Sequence, residues 1–260
     1  MSRLKICWLS AFTGSNPVSH TNKKMIKKVL MDESGNKYYW KQGDLNTNLG
    51  IIKEAWIKKA KSEVKSNVGK RFLVLEANFL DDLNGMKRGP ATVNLKDIGV
   101  ILTYTGINKD SVVLEAGSGS GQLTAFLSRF VKKVYSYEIN KDSYNLTKRN
   151  LEFLNIKNVE LKNKDVKYAE EKNIDLFVLD LLDSYNYAHI SNKSLKRSGY
   201  LVSYLTNINQ VIDLLKNLKE FIVERIISVK EENWINKGLV LRPENWNLAH
   251  TAFILFARKI

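Results

Sequence analysis

The sequence predicts an α/β protein in which a doubly wound, mostly parallel sheet follows a small β-rich domain. Three observations support this fold class. From residue 97 onward, apolar runs of strand length alternate with amphipathic runs of helix length. A glycine-rich turn lies directly between the first of these strands and a helix. Before residue 86, by contrast, short β-like runs are separated by turn residues.

The N-terminal runs predict a small β-barrel-like domain over residues 25–85. Val29–Met31 and Lys37–Trp40 flank Asp32–Asn36, whose Asp, Ser, Gly and Asn residues favour a tight turn. Further runs of strand-forming residues are Ile51-Ile52 and Phe72-Leu73-Val74-Leu75.

The second predicted domain covers residues 86–260 and opens with Gly89-Pro90, a strong break in the pattern. Its strands and helices alternate, which implies a parallel sheet covered on both faces. The predicted helices are Asp97–Thr105, Leu123–Phe130 and Ser143–Leu154. The predicted strands are Val112–Leu114, Val134–Tyr137, Val159–Leu161, Asp175–Asp180 and Gly199–Leu205, then Phe221–Val229 and Thr251–Ala257 with little helix between them.

The composition is that of an ordinary globular protein, with 44% hydrophobic and 26% charged residues among 260. No apolar stretch reaches the roughly 18 residues of a membrane span, so we expect no membrane association. Cys7 is the single cysteine, which excludes an internal disulfide framework and a cysteine-based zinc site. We therefore expect a cytoplasmic protein without a metal site.

The charge is strongly positive, since 41 Lys and Arg residues against 27 Asp and Glu residues give a formal charge of +14. Such a field favours a polyanionic partner, because much of nucleic-acid binding comes from neutralising phosphates. A lysine-rich proteome, in which basic surface is only background, explains the charge equally well. The charge thus agrees with a nucleic-acid partner without establishing one.

The clearest motif is Glu115-Ala116-Gly117-Ser118-Gly119-Ser120-Gly121, directly after a strand and before a helix. Glycines allow the backbone to approach a ligand closely and to adopt positive φ without strain. The spacing is G-x-G-x-G rather than the G-x-G-x-x-G of dinucleotide-binding folds, and an acid precedes the first glycine. The alternative is a loop that merely turns the chain, and the strand–loop–helix context argues against it.

Two further acids follow the next two strands. Glu138 ends the strand after the motif, where its carboxylate can accept both ribose hydroxyls of an adenosine. Asp165 follows the third predicted strand and can receive the adenine amino group. S-adenosylmethionine carries an adenosine and a positive sulfonium but no pyrophosphate, so several acids suit it better than they suit a dinucleotide. We therefore predict this cofactor and a Rossmann-like class I methyltransferase fold.

With these motifs, the chain resembles the tRNA (adenine-N1)-methyltransferases that modify the T-loop, from about residue 27 to the C-terminus. Leu114–Thr124 is very similar to the cofactor loop of that family, and Ser136–Glu138 is similar to its second strand. Arg242-Pro243 and the ending His250–Lys259 are the most family-specific matches, since an ordinary methyltransferase would share only the glycine loop. The other matches are Gly43–Gly50, Arg88-Gly89-Pro90, Lys96-Asp97 and Tyr204–Gln210.

The resemblance implies residue roles and an assembly. Glu138 would bind the ribose and Asp165 the adenine of the cofactor. Asp180 would be the catalytic carboxylate, and Tyr204 would line the pocket for the target base. Members of the family are typically homotetramers, so we expect a homotetramer here. The predicted cofactor-binding residues are Glu115, Gly117, Ser118, Gly119, Ser120, Gly121, Gln122, Leu123, Glu138, Asp165 and Asp180.

The implied reaction is methylation of N1 of an adenine in the T-loop of tRNA, at position 58 with position 57 as a second candidate. N1 is buried in paired or stacked RNA, so the enzyme must expose the base. Neutral N1 attacks the methyl group without losing a proton first, and the product is a cationic adenine. A carboxylate bound to the exocyclic amine would stabilise that developing charge. Asp180 ends a strand beside the cofactor loop, where a doubly wound fold places such a group.

Several other residues allow a functional and a structural interpretation. Asp183 is a second candidate for the carboxylate, but a solvated turn or a helix cap is the favoured interpretation. Tyr204 could stack on the flipped base, although without the resemblance a core residue would be favoured. His250 could contact RNA, but a single histidine is more often structural. Trp234 and Trp246 lie in a polar, basic stretch, and we expect them to pack rather than to stack on RNA.

Three classes of function compete. The leading class is a tRNA methyltransferase, the second is a methyltransferase of proteins or small molecules, and the third is a non-catalytic RNA-binding paralogue. The C-terminal match and the basic charge favour the first class over the second, and the intact acids and glycines argue against the third. Basic residues of the N-terminal domain are candidates for RNA binding, against the alternative of a solvated helix face. They are Lys58, Lys59, Lys61, Lys65, Lys70 and Arg71.

Residues 1–24 lack the charged and apolar regions of a signal peptide. The run Gly14-Ser15-Asn16-Pro17 back-translates to a sequence that resembles the T-arm of a tRNA gene. Two interpretations therefore stand side by side. Either the segment is an overextended reading frame, which makes Met25 the true start, or it is an ordinary flexible tail.

Overall fold

The computed structural model of the protein describes residues 25–89, 92–237, 239–247 and 250–260. The chain forms two compact units, of which the first ends at Met86 and the second begins at Lys87. Both interpretations of residues 1–24, and the Pro90 of the predicted break, fall outside the described residues.

The N-terminal unit is β-rich, as predicted. Its strands are β1 (Lys28–Asp32), β2 (Lys37–Trp40), β3 (Leu45–Thr47), β4 (Gly50–Ile52), β5 (Glu63–Lys65) and β6 (Arg71–Glu76), and its helices are α1 (Glu54–Lys59) and α2 (Phe79–Asn84). An antiparallel four-stranded sheet has the order β2-β1-β6-β5, and β3 pairs with β4 separately. The strands thus form two hydrogen-bonded sheets rather than one closed ladder.

The local sequence explains this arrangement. Asp32 holds the turn after β1, because its Oδ1 accepts hydrogen bonds from the N–H groups of Ser34 and Asn36, both at 2.9 Å. Alternation along β6 buries Phe72 and Val74 and leaves their neighbours on the outer face. The buried core of the unit consists of Leu30, Trp40, Ile52, Ile57, Val64, Phe72 and Val74.

The second unit contains a seven-stranded sheet. Its strands are β7 (Val112–Ala116), β8 (Lys133–Tyr137), β9 (Val159–Lys162), β10 (Ile174–Leu179), β11 (Leu195–Leu205), β12 (Phe221–Ile227) and β15 (Phe253–Lys259). The order is β12-β15-β11-β10-β7-β8-β9. The five strands from β11 to β9 are parallel, while β15 runs antiparallel to β11 and β12. This is the predicted Rossmann-like arrangement.

Helices cover both faces of this sheet. The helices are α3 (Leu95–Thr105), α4 (Gln122–Leu127), α5 (Lys141–Phe153), α6 (Ala188–Ser194) and α7 (Ile208–Leu215), with short 3-10 helices at Val166–Tyr168 and Ser184–Tyr187. On one face, Ile98 of α3 and Leu123 of α4 pack on Val178. On the other face, Ile190 of α6 and Leu214 of α7 pack in the second core. No helix among the described residues is long and apolar enough to cross a membrane.

Three differences from the sequence prediction have physical reasons. The helix predicted over Leu123–Phe130 ends at Leu127, and Phe130 lies exposed with its ring stacked on Phe126 at 5.7 Å. Helix α7, which was not predicted, begins at a capping box formed by Asn207 and Gln210. A hairpin of β13 (Trp234–Lys237) and β14 (Val240–Pro243) lies between β12 and β15. All four residues of β14 are exposed, so this strand lacks the alternation of a half-buried strand.

Candidate active site

Parallel strands bring several polar side chains to one edge of the larger sheet. Glu115 of β7 pairs with Val178 of β10 and with Ser136 of β8. Asp180 directly follows β10, and its N–H donates to the carbonyl of Ala116 at 2.9 Å. The carboxyl ends of parallel strands are where ligands bind in open α/β sheets.

The loop after β7 needs its glycines. Gly117 has a φ of +91°, and a Cβ there would lie 2.2 Å from the carbonyl oxygen of Asp180. Gly121 has a φ of +80°, and its Cβ would lie 2.9 Å from Cγ2 of Thr147. Gly119 also has a positive φ, of 55°. Side chains at these positions would push the loop away from the strands and from α5.

The other loop residues divide into two groups. Ser118 and Ser120 are buried, and Oγ of Ser118 has no hydrogen-bond partner among the residues that the structure describes. The Gln122 side chain donates to the carbonyl of Val93 at 3.1 Å, and Leu123 packs in the core beneath α4. The hydroxyl of Ser118 therefore lacks a partner among the described residues, whereas the side chains of Gln122 and Leu123 already have protein partners.

Glu115 is fully buried, with 0% of its surface exposed. Its Oε2 accepts hydrogen bonds from the hydroxyls of Thr124 at 2.6 Å and Ser136 at 2.7 Å. Its Oε1 has no partner within the described part of the chain. Burial raises the pKa of Glu115 to about 7, the two hydroxyls oppose this, and the charges of Asp180 and Glu138 add to it. A cation at this place would relieve that penalty.

Glu138 lies just beyond the end of β8 and faces the glycine loop. Its Oε2 accepts a hydrogen bond from the N–H of Gly119 at 3.0 Å, and its Oε1 accepts one from Asn140 at 2.8 Å. A carboxylate oxygen can accept more than one hydrogen bond, so both oxygens keep capacity for hydroxyl donors. The two N–H groups fix the carboxylate in the position from which it can bind a ribose.

Asp165 has a local structural task. It caps the 3-10 helix Val166–Tyr168 by accepting the N–H of Lys167 at 2.9 Å, and it forms an ion pair with the Lys167 ammonium at 3.1 Å. Burial alone would raise the pKa of Asp165, but the hydrogen bonds from Lys167 outweigh it and the pKa is lowered. Asp165 is therefore an ionised cap, and its contact with an adenine stays a prediction.

Asp180 and Asp183 differ in environment. The carboxylate of Asp180 is partly buried and has no hydrogen-bond partner among the described residues. Burial raises the pKa of Asp180 to about 7, and the charge of Glu138 adds to this. Asp183 makes no side-chain cap to the following 3-10 helix and accepts a hydrogen bond from Asn186 at 3.1 Å. Of the two acids, Asp180 therefore has the raised pKa and no hydrogen-bond partner among the described residues, whereas Asp183 is bonded to Asn186.

Tyr204 lies near the end of β11, beside Asp180. Leu179 pairs with Ser203, so the next step of the ladder brings Tyr204 and Asp180 together. The ring of Tyr204 is buried in the core, and its hydroxyl donates to Oδ2 of Asp97 at 2.9 Å. Burial and the neighbouring carboxylate of Asp97 raise the pKa of Tyr204. Its hydroxyl is therefore protonated and fixed at neutral pH.

The partner of Tyr204 belongs to a buried network that sequence reasoning missed. Asp97 is 0% exposed and also accepts hydrogen bonds from Lys96 at 2.7 Å and from Thr251 at 2.8 Å. The Lys96 ammonium donates further to Oγ1 of Thr251 and to the carbonyl of Val229. The sequence marks Lys96-Asp97 only as a match to the family and indicates no role for the pair. The network ties α3 to the segments on both sides of the β13–β14 hairpin.

The hairpin residues are exposed. Trp234 is 53% and Trp246 90% exposed, so the expectation that they pack inside this chain is wrong. They lie in the stretch that separates the last two strands of the sheet along the chain. The His250 ring lies 4.7 Å from the ring of Phe253, a packing role that agrees with the favoured interpretation.

The donor set fits an adenosine-bearing cation. Around the ends of β7 and β8 lie a buried carboxylate oxygen and the Ser118 hydroxyl, both without a partner in the described part of the chain, and a loop in which a Cβ would collide. Glu115, Glu138 and Asp180 together place negative charge where a sulfonium would be stabilised. Among the described residues, no three His, Cys, Asp or Glu side chains are grouped to hold a metal ion.

Comparison with known families gives a consistent result. The family model described as tRNA methyltransferase complex GCD14 subunit matches residues 90–237, which is more than half of the chain. The tRNA (adenine(57)-N(1)/adenine(58)-N(1))-methyltransferase TrmI of Methanocaldococcus jannaschii is 32% identical over 89% of this chain and 94% of its own length. The tRNA (adenine(58)-N(1))-methyltransferase TrmI of Thermus thermophilus is 31% identical over 75% of this chain and 80% of its own length.

Solved structures show the same architecture. A SAM-dependent O-methyltransferase from Thermotoga maritima matches with a TM-score of 0.82 and 27% identity, over 94% of this chain and 96% of that one. The tRNA (m1A58) methyltransferase TrmI from Aquifex aeolicus matches with a TM-score of 0.79 and 26% identity, over 92% of this chain and 98% of that one. Both matches extend over nearly the whole chain, and so over both of its units.

Proposed function

We propose that this chain, which belongs to the tRNA methyltransferase complex GCD14 subunit family, methylates N1 of adenine in the T-loop of tRNA with S-adenosylmethionine as the donor. Relatives that share about a third of its residues carry out this reaction on adenine 58, or on adenines 57 and 58. The observation that carries the proposal is the convergence of Glu115, Glu138 and Asp180 around the glycine loop. Glu115 and Asp180 lie at the ends of two paired strands, and Glu138 accepts a hydrogen bond from the loop.

The chemistry needs positioning more than proton transfer. When bound, the cofactor supplies an electrophilic methyl group on a positively charged sulfur. The N1 lone pair would bond to that methyl carbon, and the electron pair of the broken carbon–sulfur bond would stay on sulfur. Positive charge then moves onto the adenine ring. Asp180 accepts a hydrogen bond from the exocyclic amine and stabilises this charge, in its ionised form.

The cofactor side orients the donor. Glu138 accepts the ribose hydroxyls, and its own position is fixed by the N–H groups of Gly119 and Asn140. We assign the polar end of the ligand to Glu115 and the hydroxyl of Ser118, whose buried Oε1 and Oγ have no partner among the described residues. We propose that Asp165 receives the adenine amine through oxygen capacity left over from Lys167. Backbone groups of Gly117–Leu123 complete the site, since the side chains of Gln122 and Leu123 have protein partners.

The target side needs an exposed base. N1 is covered in stacked or paired RNA, so the adenine must leave the stack before it reaches Asp180. We propose that Tyr204 forms one wall of the receiving pocket, because it lies next to Asp180 on the neighbouring strand. Asp97 holds the hydroxyl of Tyr204 and so determines the orientation of the ring.

The N-terminal unit supplies part of the proposed tRNA surface. Lys58 and Arg71 form ion pairs with Glu54 at 2.9 Å and Glu63 at 3.0 Å, which reduces their contribution. The remaining exposed lysines in this set carry the positive charge that phosphates need. They are Lys59, Lys61, Lys65 and Lys70. In functional terms, we infer a small domain at residues 25–85 and a catalytic domain at residues 86–260.

We also propose that the enzyme is a homotetramer. The exposed apolar side chains of the β13–β14 hairpin support this, because a surface of this kind on a globular protein usually meets another protein. They include Trp234, Leu239, Val240, Leu241 and Trp246. We place the enzyme in the cytoplasm, where its tRNA substrate is available, and the proposed chemistry uses no metal ion.

A methyltransferase of small molecules is the second candidate, since the Thermotoga maritima structure is described as an O-methyltransferase and matches 94% of this chain. Incubation with methyl-labelled S-adenosylmethionine and a T-loop transcript, followed by nucleoside analysis, separates the two. We expect N1-methyladenosine in the transcript and none when the T-loop adenines are replaced by guanine. Labelled nucleosides other than N1-methyladenosine, or no label in tRNA, would contradict the proposal. Failure to bind the cofactor would support a non-catalytic paralogue.

A further inference from the structure

The first residues of the catalytic unit are fastened to the glycine loop. We call Lys87–Gly89 the leading segment. The N–H of Lys87 donates to Oδ1 of Asn150 at 3.0 Å, and Nδ2 of Asn150 donates back to the Lys87 carbonyl at 2.9 Å. A Cβ added at Gly89 would touch Cβ of Ser120 at 3.4 Å. The leading segment therefore lies against the loop.

Asn150 contacts both partners at once. It lies in α5 and is only 2% exposed. Besides its two hydrogen bonds with Lys87, its Nδ2 donates to the carbonyl of Ser120 at 2.8 Å. All the donor capacity of this amide is thus used between the leading segment and the loop. A buried amide with every donor paired is costly to disturb.

One turn earlier, α5 holds the loop a second time. The hydroxyl of Thr147 donates to the carbonyl of Gly119 at 2.8 Å. The same side chain is fully buried and lies so close to Gly121 that a Cβ there would collide with it. The side-chain hydrogen bond of Thr147 goes to the loop, whereas Asn150 bonds to both the loop and the leading segment.

These contacts reach the cofactor site through the loop backbone. When the carbonyls of Gly119 and Ser120 are fixed, the N–H of Gly119 points at Oε2 of Glu138, at 3.0 Å. That oxygen belongs to the carboxylate that we assign to the ribose. A movement of the loop would change the hydrogen bond that orients Glu138.

We infer that Asn150 is a positioning residue that couples the leading segment to the cofactor loop. It acts through Ser120 on the cofactor and through Lys87 on the start of the catalytic unit. Binding of the cofactor therefore orders the leading segment, and order in the leading segment strengthens binding of the cofactor, because linkage between two sites is reciprocal. The inference rests on the proposed function only in that the glycine loop holds the cofactor.

Asn158 offers a matched control. Its Nδ2 also donates to two backbone carbonyls, those of Ser128 at 2.8 Å and Val131 at 3.0 Å, but neither belongs to the glycine loop. A role in stability alone would make Asn150→Ala and Asn158→Ala behave alike. A role in positioning the loop separates them.

The test measures the dissociation constant of S-adenosylhomocysteine by calorimetry, thermal melting and amide hydrogen exchange on the full chain. We expect both variants to melt at lower temperature, and Asn150→Ala alone to weaken binding about tenfold, as expected for lost buried hydrogen bonds. Thr147→Val should weaken binding but keep ligand-induced protection of the Lys87 amide. In Asn150→Ala that protection should be lost.

Two results would overturn the inference. The first is equal binding by the Asn150 and Asn158 variants. The second, which needs no variant and so survives a folding failure, is unchanged exchange at Lys87 and Arg88 when the ligand saturates the wild-type protein. Ligand binding with the expected protection but without methylation of tRNA would contradict the proposed function alone. Absence of ligand binding to the wild-type protein would contradict both.

Discussion

The half of the site assigned to the cofactor is built from neighbouring residues, whereas the half assigned to the target base is assembled from distant ones. Glu138 and Gly119, which face each other across the cofactor site, are 19 residues apart. On the other side, Tyr204 meets Asp97 across 107 residues, and Thr251 meets Asp97 across 154. Loops that follow the strands determine the cofactor half of the site, whereas packing between distant elements assembles the target-base half.

The two halves also differ in what holds them. Backbone N–H groups and glycines shape the cofactor half, so its geometry follows from local conformation. In the target half, side chains on three elements share the buried carboxylate of Asp97. We expect substitutions in the first half to change cofactor affinity, and substitutions in the second half to change turnover or stability.

Gly117→Ala should have the largest effect on the cofactor half. The new Cβ would lie 2.2 Å from the Asp180 carbonyl, and the backbone has a φ of +91°, so the loop must move. We expect cofactor affinity to fall by more than about a hundredfold, because both strain and displaced backbone groups contribute. Calorimetry measures this. Gly99→Ala in α3 is the control, since nothing lies within 4 Å of its Cβ and alanine favours a helix. Equal affinity of the two variants would refute this account of the loop.

Glu138→Ala should weaken cofactor binding next most strongly. The carboxylate has two ribose hydroxyls as expected partners, and charge-assisted hydrogen bonds contribute on the order of 1.5–3 kcal/mol each. A loss of tenfold or more in affinity is therefore expected. Glu160→Ala, which removes an acid of β9 paired with Lys133, should leave the dissociation constant unchanged. An unchanged constant in the Glu138 variant would remove the ribose assignment.

Tyr204→Phe probes the target half. It keeps the ring but removes the donor to buried Asp97, a loss of about 1 kcal/mol in the free energy of unfolding. We also expect single-turnover methylation to slow several-fold, since the ring loses its tether, while cofactor affinity stays the same. Tyr200→Phe is a matched control on β11, because its hydroxyl bonds to Glu224 on the exposed side. Identical behaviour of the two variants would mean that the network does not position the pocket.

Glu115→Gln should change how the melting temperature depends on pH rather than the rate of methyl transfer. The pKa of Glu115 is about 7 in the folded chain and 4.5 without the fold, so the fold favours the protonated acid. Its contribution to stability is therefore full below pH 4.5 and is lost as the pH rises toward 7, on the order of 3 kcal/mol in total. Between pH 5 and 8, we expect the melting temperature of the ligand-free variant to fall less than that of the ligand-free wild-type protein. Parallel melting profiles would show that Glu115 is ionised throughout.

This contrast explains how much the sequence could predict. The glycine loop and Glu138 stand in a contiguous strand–loop–helix–strand pattern, so their positions could be read from spacing. The partners of Gln122 and Leu123 could not be predicted, because Val93 and the core beneath α4 are brought near only by folding. The role of Lys96-Asp97 was missed for the same reason.

The fold, like the site, has features that no single segment of the sequence predicts. Alternating strands and helices predicted the parallel sheet, and the order of its strands depends on register that no single segment encodes. The exposed Trp234 and Trp246 were expected to pack, since tryptophan side chains are on average highly buried. Whether a partner chain supplies that core depends on assembly, which lies beyond one chain's own pattern.

The most direct test of the account is single-turnover methylation of tRNA by Asp180→Asn, with cofactor affinity and thermal melting measured on the same variant. The control is Asp183→Asn, because Asp183 lies a few residues away and its carboxylate accepts a hydrogen bond from Asn186. We predict that Asp180→Asn slows the methyl transfer about a hundredfold to a thousandfold, because one preorganised charge is lost. Cofactor affinity should fall far less than the rate, and Asp183→Asn should keep its rate. The melting temperature should not fall, because burial disfavours the ionised form of Asp180. Near-normal transfer by Asp180→Asn, or a larger loss in the Asp183 variant, would contradict the assignment of Asp180 as the catalytic carboxylate.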